Sequence, residues 1–397
     1  MTKATPSAHP ALVTLALAMG AFAIGTTEFA AMSLLPFFAA DLHIDEPAAG
    51  HAISAYALGV VVGAPVIAVL AARIARLTLL IGLMALFAVG NALSAIAPSY
   101  HALLVFRFIT GLPHGAYFGV AALVAAALVP DNKRALSVAR VMTGLTVATI
   151  IGVPMANWLG QAFGWRTGFG LVAGLAAVTM VLVALYAPLG EPSRDASPLR
   201  ELGALRRPQV LLTLLTGAIG FGGFFAVYTY IASTLISVTH VSERWVPVVL
   251  AVFGVGMTIG NLVAGWAAGY SINRTAIAIM LWTTAALAFF TTSTDSLWTV
   301  TLAVFLIGLG GGLGAVLQTR LMDVAGDAQA LAAAAHHSAF NVANALGPWL
   351  GGLAVSAGYG FASTGWIGVA LSLGGLAVFL LALALERRSS KMAARIA

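Results

Sequence analysis

The hydrophobic residues of this chain fall into long, unbroken runs that are separated by short polar or charged clusters. Most runs reach or exceed the about 20 apolar residues with which a helix crosses a bilayer, and they lack the alternation of a transmembrane barrel strand. The pattern therefore predicts an all-α integral membrane protein with twelve transmembrane helices. The predicted spans are roughly 11–37, 48–71, 77–97, 102–128, 136–160, 166–187, 209–236, 245–269, 275–293, 297–319, 329–355 and 364–385.

The longest polar interruption separates the sixth span from the seventh and predicts two bundles of six helices. Two sequence features that recur in both halves favour an internal duplication. The segment 111–115 (GLPHG) resembles 308–312 (GLGGG), and Pro154 and Pro348 are each followed ten residues later by a glycine and an aromatic residue. The predicted units are an N-terminal bundle at 1–189 that holds the ionisable residues, a cytoplasmic linker at 190–208 and a C-terminal bundle at 209–397.

Composition agrees with membrane insertion. Residues are 60% hydrophobic and 8% charged, with a mean hydropathy of +0.99, whereas a soluble domain carries about 25% charged residues. If both termini are cytoplasmic, all of the 19 lysines and arginines except Arg107, Arg166 and Arg244 lie at the inner face, as the positive-inside rule requires. Membrane orientation thus explains the net charge of +6, and we expect no nucleic-acid partner.

Several chemistries are missing from the sequence. It has no cysteine, which excludes disulfides and thiol catalysis. It also has no GxxxxGK[ST] loop for nucleotide phosphates, no hydrolytic triad and no cluster spaced to ligate a metal. We therefore expect a protein that is not an enzyme, needs no cofactor and draws on an ion gradient.

Glu28 is the acidic residue that lies well inside an apolar run. A carboxylate near the centre of a span costs about 2.5 kcal/mol or more on insertion scales, so it persists with a partner, a proton or a watery cavity. Glu28 is therefore the first candidate for proton coupling. Arg107, at comparable depth in span four, is its candidate partner, and His114 lies seven residues on, nearly on the same face.

Each of these residues also has a purely structural interpretation. Glu28 and Arg107 could form a structural ion pair that locks two helices rather than a proton-linked switch. His114 could line a cavity or pack through a hydrogen bond.

Polar and aromatic side chains in later spans form a candidate substrate cavity. His337, Asn341 and Asn344 share one face of span eleven, and this face suits either hydrogen bonding between helices or substrate contact. Span seven is rich in aromatic residues, which either pack or offer a stacking surface for an amphipathic molecule. The predicted cavity residues are Tyr117, Phe221, Phe225, Tyr228, His337, Asn341 and Asn344.

Span five combines small residues with a proline. Gly144 and Gly152 are spaced to let a neighbouring backbone approach closely, and Pro154 frees a carbonyl group and bends the helix. Together they predict a conformational hinge.

These features resemble the major facilitator superfamily, in its twelve-span drug:proton antiporter branch of arabinose-efflux-like, purine-efflux-like and chloramphenicol-resistance exporters. The resemblance covers nearly the whole chain. It depends on 27–29 (TEF), 34–36 (LLP) and 41–42 (DL) in span one, 107–115 (RFITGLPHG) in span four, 144–154 and 164–166 (GWR) around span five, and 341–347 (NVANALG) in span eleven.

The resemblance implies the major facilitator fold, a monomer in the bacterial inner (plasma) membrane, and proton coupling through Arg107. It also implies an antiporter rather than a symporter, from Gly144, Gly152 and Pro154. The chain departs from the family between spans two and three, where Ala68, Ala72 and Ala75 replace the expected glycines and aspartate.

The expected function is proton-coupled export of a small organic molecule by alternating access. Protons, a small-molecule substrate such as a phenicol, sugar or nucleoside, and the lipid bilayer are the expected partners. A proton-coupled importer of the same fold is one alternative, and a membrane sensor or scaffold that transports nothing is another.

Overall fold

The computed structural model describes residues 9–70, 74–130, 133–188, 207–325 and 329–396, and twelve long helices account for most of them. The helices are α1 (Pro10–Ser33), α2 (Glu46–Leu70), α3 (Arg76–Ala95), α4 (Tyr100–Ala127), α5 (Leu136–Phe163), α6 (Arg166–Tyr186), α7 (Pro208–Ser237), α8 (Val246–Ala268), α9 (Ile272–Thr291), α10 (Leu297–Ala325), α11 (Gln329–Ala354) and α12 (Thr364–Ile396). The predicted spans lie close to these bounds, and most of the predicted linker lies outside the described residues.

Eleven helices of the described chain are long and apolar enough to cross a membrane. The twelfth, α11, has 26 residues but is more polar, because it carries His336, His337, Asn341 and Asn344. The last helix, α12, is longer than the predicted span. It continues past residue 385 to Ile396, because the width of the bilayer limits the apolar run but does not require the helix to end.

The two halves repeat one another in their glycine contacts. Between α2 and α4, and again between α8 and α10, a glycine on each helix faces a backbone carbonyl of the other so closely that a Cβ atom would collide with it. The contacts join Gly59 to Phe108 and Gly111 to Tyr56 in the first half, and Gly256 to Phe305 and Gly308 to Phe253 in the second. Each residue of the second set lies 197 positions after its counterpart (308 − 111 = 197). Small residues at matching positions therefore bring one pair of helices into close contact in each half.

Two helices of the N-terminal half are irregular near prolines. The α4 helix is interrupted between Gly111 and His114, where Pro113 lacks an N–H group for the helical ladder. The α5 helix widens into a π-turn at Ala148–Gly152 directly before Pro154. Such turns commonly mark functional positions within a helix.

Because twelve antiparallel helices cross the bundle, the start of α1 and the end of α12 lie on one side, here called the terminal side. The opposite side, called the far side, carries the loops after α1, α3 and α5. On or near the far side the halves meet through Gln161, which donates to the carbonyl of Glu243 at 2.9 Å, and through Ser54, which donates to the carbonyl of Ala345 at 3.0 Å. The helices thus approach one another across the far side of the bundle.

Candidate functional site

Glu28 lies in α1 at the contact between the two halves. Its side chain is 4% exposed, and its Oε1 accepts a hydrogen bond of 3.1 Å from Nδ2 of Asn344 in α11. The next residue, Phe29, also contacts the second half, because its ring centroid lies 6.2 Å from that of Phe225 and 5.2 Å from that of Tyr228. A membrane-buried carboxylate is thus part of the contact between bundles that a transport cycle would have to rearrange.

Arg107 is held beside α1 by a short chain of hydrogen bonds. One terminal nitrogen of its guanidinium donates to Thr27 Oγ1 at 3.2 Å, and Thr27 in turn donates to Asn91 Oδ1 at 2.6 Å. The guanidinium carbon lies 4.4 Å from the ring centroid of Tyr56 and 5.2 Å from that of Phe169, in cation–π geometry. The Nε and the other terminal nitrogen are buried and find no hydrogen-bond acceptor in the described part of the chain.

The sequence left open whether Glu28 and Arg107 pair directly. Across the described residues no salt bridge within 4.0 Å joins the two side chains. Thr27 lies beside Glu28 in the chain and bonds Arg107, so the two charges remain neighbours without contact. The structure therefore shows no direct ion pair that would lock α1 to α4.

His114 connects the first half to the histidines of α11. Its Nδ1 lies 2.8 Å from the hydroxyl of Tyr56, and its ring centroid lies 6.5 Å from that of His337. His337 also stacks on Phe118, with centroids 5.1 Å apart and planes inclined by 3°. The predicted face of α11 therefore lies against α4, with Asn341 bonded through Nδ2 to the backbone carbonyl of His337 at 3.0 Å.

Hydrogen bonds and ring contacts made by these side chains link α1, α2, α4 and α11, and the set is here called the polar interface. Its members are Thr27, Glu28, Tyr56, Arg107, His114, His337, Asn341 and Asn344. Nowhere in the described ranges do three or more histidine, aspartate or glutamate side chains form a group that could hold a metal ion.

The aromatic residues of α7 lie against α1 and α11. The ring centroid of Phe221 is 4.4 Å from that of Phe340, and that of Phe225 is 5.1 Å from it. Tyr228 packs at 4.4 Å on Phe253 of α8. This aromatic cluster of Phe29, Phe221, Phe225, Tyr228 and Phe340 borders the polar interface, because Phe29 and Phe340 each adjoin one of its members in the chain.

Tyr117 is placed apart from the other predicted cavity residues. It is fully buried inside the first half, and its hydroxyl donates to the carbonyl of Leu17 at 2.9 Å. The hydroxyl also lies against Gly20, where a side chain would collide with it. The structure thus gives Tyr117 contacts between α4 and α1 rather than contacts at the polar interface.

The glycines of α5 bring that helix against α1. A Cβ atom at Gly144 would collide with the carbonyl oxygen of Ala18, and one at Gly152 would collide with Oγ1 of Thr26. Pro154 follows the π-turn of α5. The predicted hinge residues therefore support the helix that carries Glu28, although their movement stays a prediction.

Sequence reasoning did not select Tyr56, Asn91 or Phe340. Asn91 is a fully buried amide in α3, and a polar residue inside an apolar span was a signal that could have found it. Tyr56 and Phe340 gave no such signal, because aromatic residues are common in membrane helices. Their positions at the site depend on how the helices face one another.

A second polar group lies on the far side, outside the spans. Asp41 accepts hydrogen bonds from Arg166 and from the indole nitrogen of Trp165, the latter at 3.0 Å. These two donors hold the pKa of Asp41 below its usual range because they stabilise the ionised carboxylate. Nearly half of the Asp41 side chain is exposed, so this group differs sharply from the buried Glu28.

The segment between the second and third spans, where the chain departs from the family, is described in part. Arg76 begins α3 and Ala75 precedes it, whereas Ala72 and Arg73 lie outside the described residues.

The chain was compared with known proteins. Residues 17–270 match the Major Facilitator Superfamily. The inner membrane transport protein YdhP of Escherichia coli K12 is 43% identical over 372 residues, which cover 92% of this chain and 94% of the relative. The chain belongs to the Major Facilitator Superfamily. This result confirms the family inferred from the sequence, and the protein is a multi-pass membrane transporter rather than an enzyme.

Two further likenesses bear on fold and function. A chloramphenicol resistance protein of Streptomyces lividans is 36% identical over 342 residues, covering 84% of this chain and 86% of the relative. The crystal structure of a bacterial homologue of the human lysosomal transporter Spinster has a TM-score of 0.73 at 16% identity, with 96% of this chain and 98% of that chain covered. The predicted twelve-helix major facilitator fold is thereby confirmed.

Proposed function

We propose that this transporter exports a small organic molecule in exchange for protons, by rocking of two six-helix bundles about the polar interface. The observation that most directly supports this proposal is the hydrogen bond between Asn344 of the second half and the buried carboxylate of Glu28 in the first. An ionised carboxylate only accepts hydrogen bonds, whereas a protonated one also donates. Protonation therefore acts directly on a contact that joins the bundles.

Charge supports the same assignment. Glu28 is buried at the polar interface beside Arg107, whose Nε and one terminal nitrogen have no acceptor in the described structure. When Glu28 takes up a proton, the local charge rises by one unit and the guanidinium loses its neighbouring anion. In a low-dielectric site this is a large electrostatic change, and a polar substrate that enters the same layer would favour release of the proton.

The contacts between the halves bear on which side of the membrane the site can open to. They meet at the far side through Gln161 and Glu243 and through Ser54 and Ala345. If both termini are cytoplasmic, as the basic residues predict, this arrangement is closed to the outside. Opening the far side would then expose Glu28 to external protons and release substrate outward. The name of the chloramphenicol resistance relative supports export, and a proton-coupled importer of the same fold is the second candidate.

The remaining parts of the proposal are supported by the family and by the sequence. Transport draws on the proton gradient without a cofactor, the protein works as a monomer in the bacterial inner membrane, and no nucleic acid takes part. The sensor or scaffold alternative is not supported, since the chain belongs to a family of transporters.

Proton movement in reconstituted vesicles tests the proposal. Purified protein in liposomes that enclose a pH-sensitive dye is exposed in turn to chloramphenicol, ethidium, arabinose and adenosine. We expect at least one compound to evoke proton flux opposite to its own movement. Flux of proton and compound in the same direction would establish the importer instead, and compound movement that is insensitive to a pH gradient would contradict proton coupling.

A cross-link on the far side tests whether the halves rock. A Cβ atom built at Gly352 lies 3.5 Å from Cβ of Pro47 in α2, within the about 3.5–4.5 Å of a disulfide. The Tyr230 hydroxyl, which lies 2.7 Å from the same built atom and donates to the carbonyl of Pro348, has to shift to admit the new side chain. Because the chain has no native cysteine, Pro47→Cys with Gly352→Cys supplies the only thiol pair.

We expect oxidation of this double variant to stop transport and dithiothreitol to restore it, because the disulfide holds the far side closed. Each single-cysteine variant, treated with the same oxidant, serves as the control and should keep transporting. Wild-type transport by the cross-linked protein would contradict a cycle in which the far side opens.

A further inference from the structure

The hydrogen-bonding state of two asparagines indicates what the site recognises. Asn341 and Asn344 are 1% and 0% exposed. Nδ2 of Asn341 donates to a backbone carbonyl, and Nδ2 of Asn344 donates to the Glu28 carboxylate. While Glu28 is ionised, both partner atoms are acceptors, so each amide presents its NH2 group to them and its oxygen elsewhere. The orientation of both amides is therefore set by chemistry in the substrate-bound state of the proposed exchange.

The two amide oxygens are left without donors. Oδ1 of Asn341 and Oδ1 of Asn344 are buried and find no hydrogen-bond partner among the residues that the structure describes. The hydroxyl of Tyr228 in α7 is likewise buried and unpaired there. Buried polar groups in native proteins are nearly always paired. Two unpaired acceptors and a hydroxyl that can donate or accept are atoms whose hydrogen bonds a ligand carrying donors would satisfy.

The surroundings of these atoms are aromatic rather than acidic. Phe29 contacts Phe225 and Tyr228, and Phe340 adjoins Asn341 in the chain and packs on Phe221. Aromatic faces of this kind bind flat or apolar bodies through stacking and edge contacts. The surface thus combines hydrogen-bond acceptors with an apolar wall.

Charge balance selects the net charge of the ligand. Under the proposed exchange, substrate occupies the site while Glu28 is ionised, and Glu28 then balances the neighbouring Arg107. A neutral ligand leaves this balance intact, whereas a cation or an anion would bring an unpaired charge into a low-dielectric layer, which is costly.

We propose that the polar interface and the aromatic cluster bind a neutral organic molecule with an aromatic or apolar body and at least two O–H or N–H donors, which bond to the amide oxygens of Asn341 and Asn344. This assignment rests on the proposed export function and adds its substrate class. In this assignment α11 supplies the hydrogen-bond acceptors of the site.

Binding measurements on matched ligands test the assignment without a proton gradient. Full-length protein in lipid nanodiscs is titrated with chloramphenicol and adenosine, which are neutral and carry several donors, and with O-acetylated chloramphenicol, which lacks the hydroxyl donors and keeps a single amide N–H. Ethidium and 4-nitrobenzoate supply a cation and an anion with aromatic bodies. Affinity is read from ligand-induced thermal stabilisation and from equilibrium binding.

Two variants separate recognition from folding. Asn341→Leu keeps the number of side-chain heavy atoms and the branch at Cγ but removes the acceptor, and Asn261→Leu makes the same change at a half-buried position of α8, away from the site. We expect a donor-bearing ligand to bind at least about ten-fold more tightly than its acetylated derivative. Asn341→Leu should weaken that ligand about ten-fold and leave the acetylated derivative unchanged, and Asn261→Leu should affect neither.

Several results would overturn the assignment. They are equal binding of the acetylated derivative, an equal loss of both ligands in Asn341→Leu, tighter binding of ethidium or 4-nitrobenzoate, or no binding by either neutral compound. The outcome is independent of coupling. If the expected binding pattern is found without proton flux, the exchange mechanism alone is contradicted. If ethidium evokes proton flux that is lost in Glu28→Gln, the proposed substrate class alone is contradicted.

Discussion

Glu28→Gln is expected to reduce substrate-evoked proton movement to the level of protein-free liposomes while the protein stays folded. Glutamine cannot bind or release a proton, yet its amide oxygen can still accept the hydrogen bond that Asn344 now donates to the carboxylate. The contact between α1 and α11 is therefore retained in the variant and only the titration is lost. The measurement is internal pH in the vesicle assay, with thermal unfolding as the check on folding.

The matched control is Asp41→Asn, which makes the same chemical change at an acid outside the spans. Asp41 bonds Arg166 and Trp165 on the far side and is absent from the polar interface, so we expect its variant to keep proton flux. Undiminished proton flux in Glu28→Gln would show that another group couples transport.

Gly144→Ala is expected to destabilise the protein by about 1–3 kcal/mol, the usual range for forcing a methyl group into a close-packed contact. The added Cβ would collide with the carbonyl oxygen of Ala18 and lie 2.9 Å from the amide nitrogen of Phe22. Both are backbone atoms of α1, so the whole helix must move away. Because α1 carries Glu28, we expect transport to fall together with the thermal unfolding midpoint.

Gly174→Ala in α6 is the control, because a Cβ atom there meets nothing within 4 Å. Alanine is the better helix former, so this variant should unfold at or slightly above the wild-type temperature and transport normally. Equal unfolding midpoints for the two variants would show that α5 and α1 can separate without cost.

The predicted substrate residues show how far helical periodicity carries a site prediction. His337, Asn341 and Asn344 were assigned to one face of α11 from their spacing, and the structure places all three at the polar interface. Tyr117 was predicted to line the same cavity, but it lies within the first half against Leu17 and Gly20. Spacing alone could not exclude it, because residues three apart share a helix face, and only the packing of α1 against α4 gives Tyr117 its neighbours inside the first half.

The sequence by itself determined the membrane class and the twelve spans, and it made Glu28 the first candidate for proton coupling. Each follows from a local cost, because apolar runs of this length cannot face water and a carboxylate inside one is expensive wherever it lies. Only the tertiary structure decided that Asn344 rather than Arg107 contacts Glu28, and that the side-chain oxygens of Asn341 and Asn344 find no donor among the described residues. These contacts join residues hundreds of positions apart, and they depend on the rotation and tilt of whole helices. Helix rotation and tilt are set by close approaches such as that of Gly144 to Ala18, which no single helix encodes.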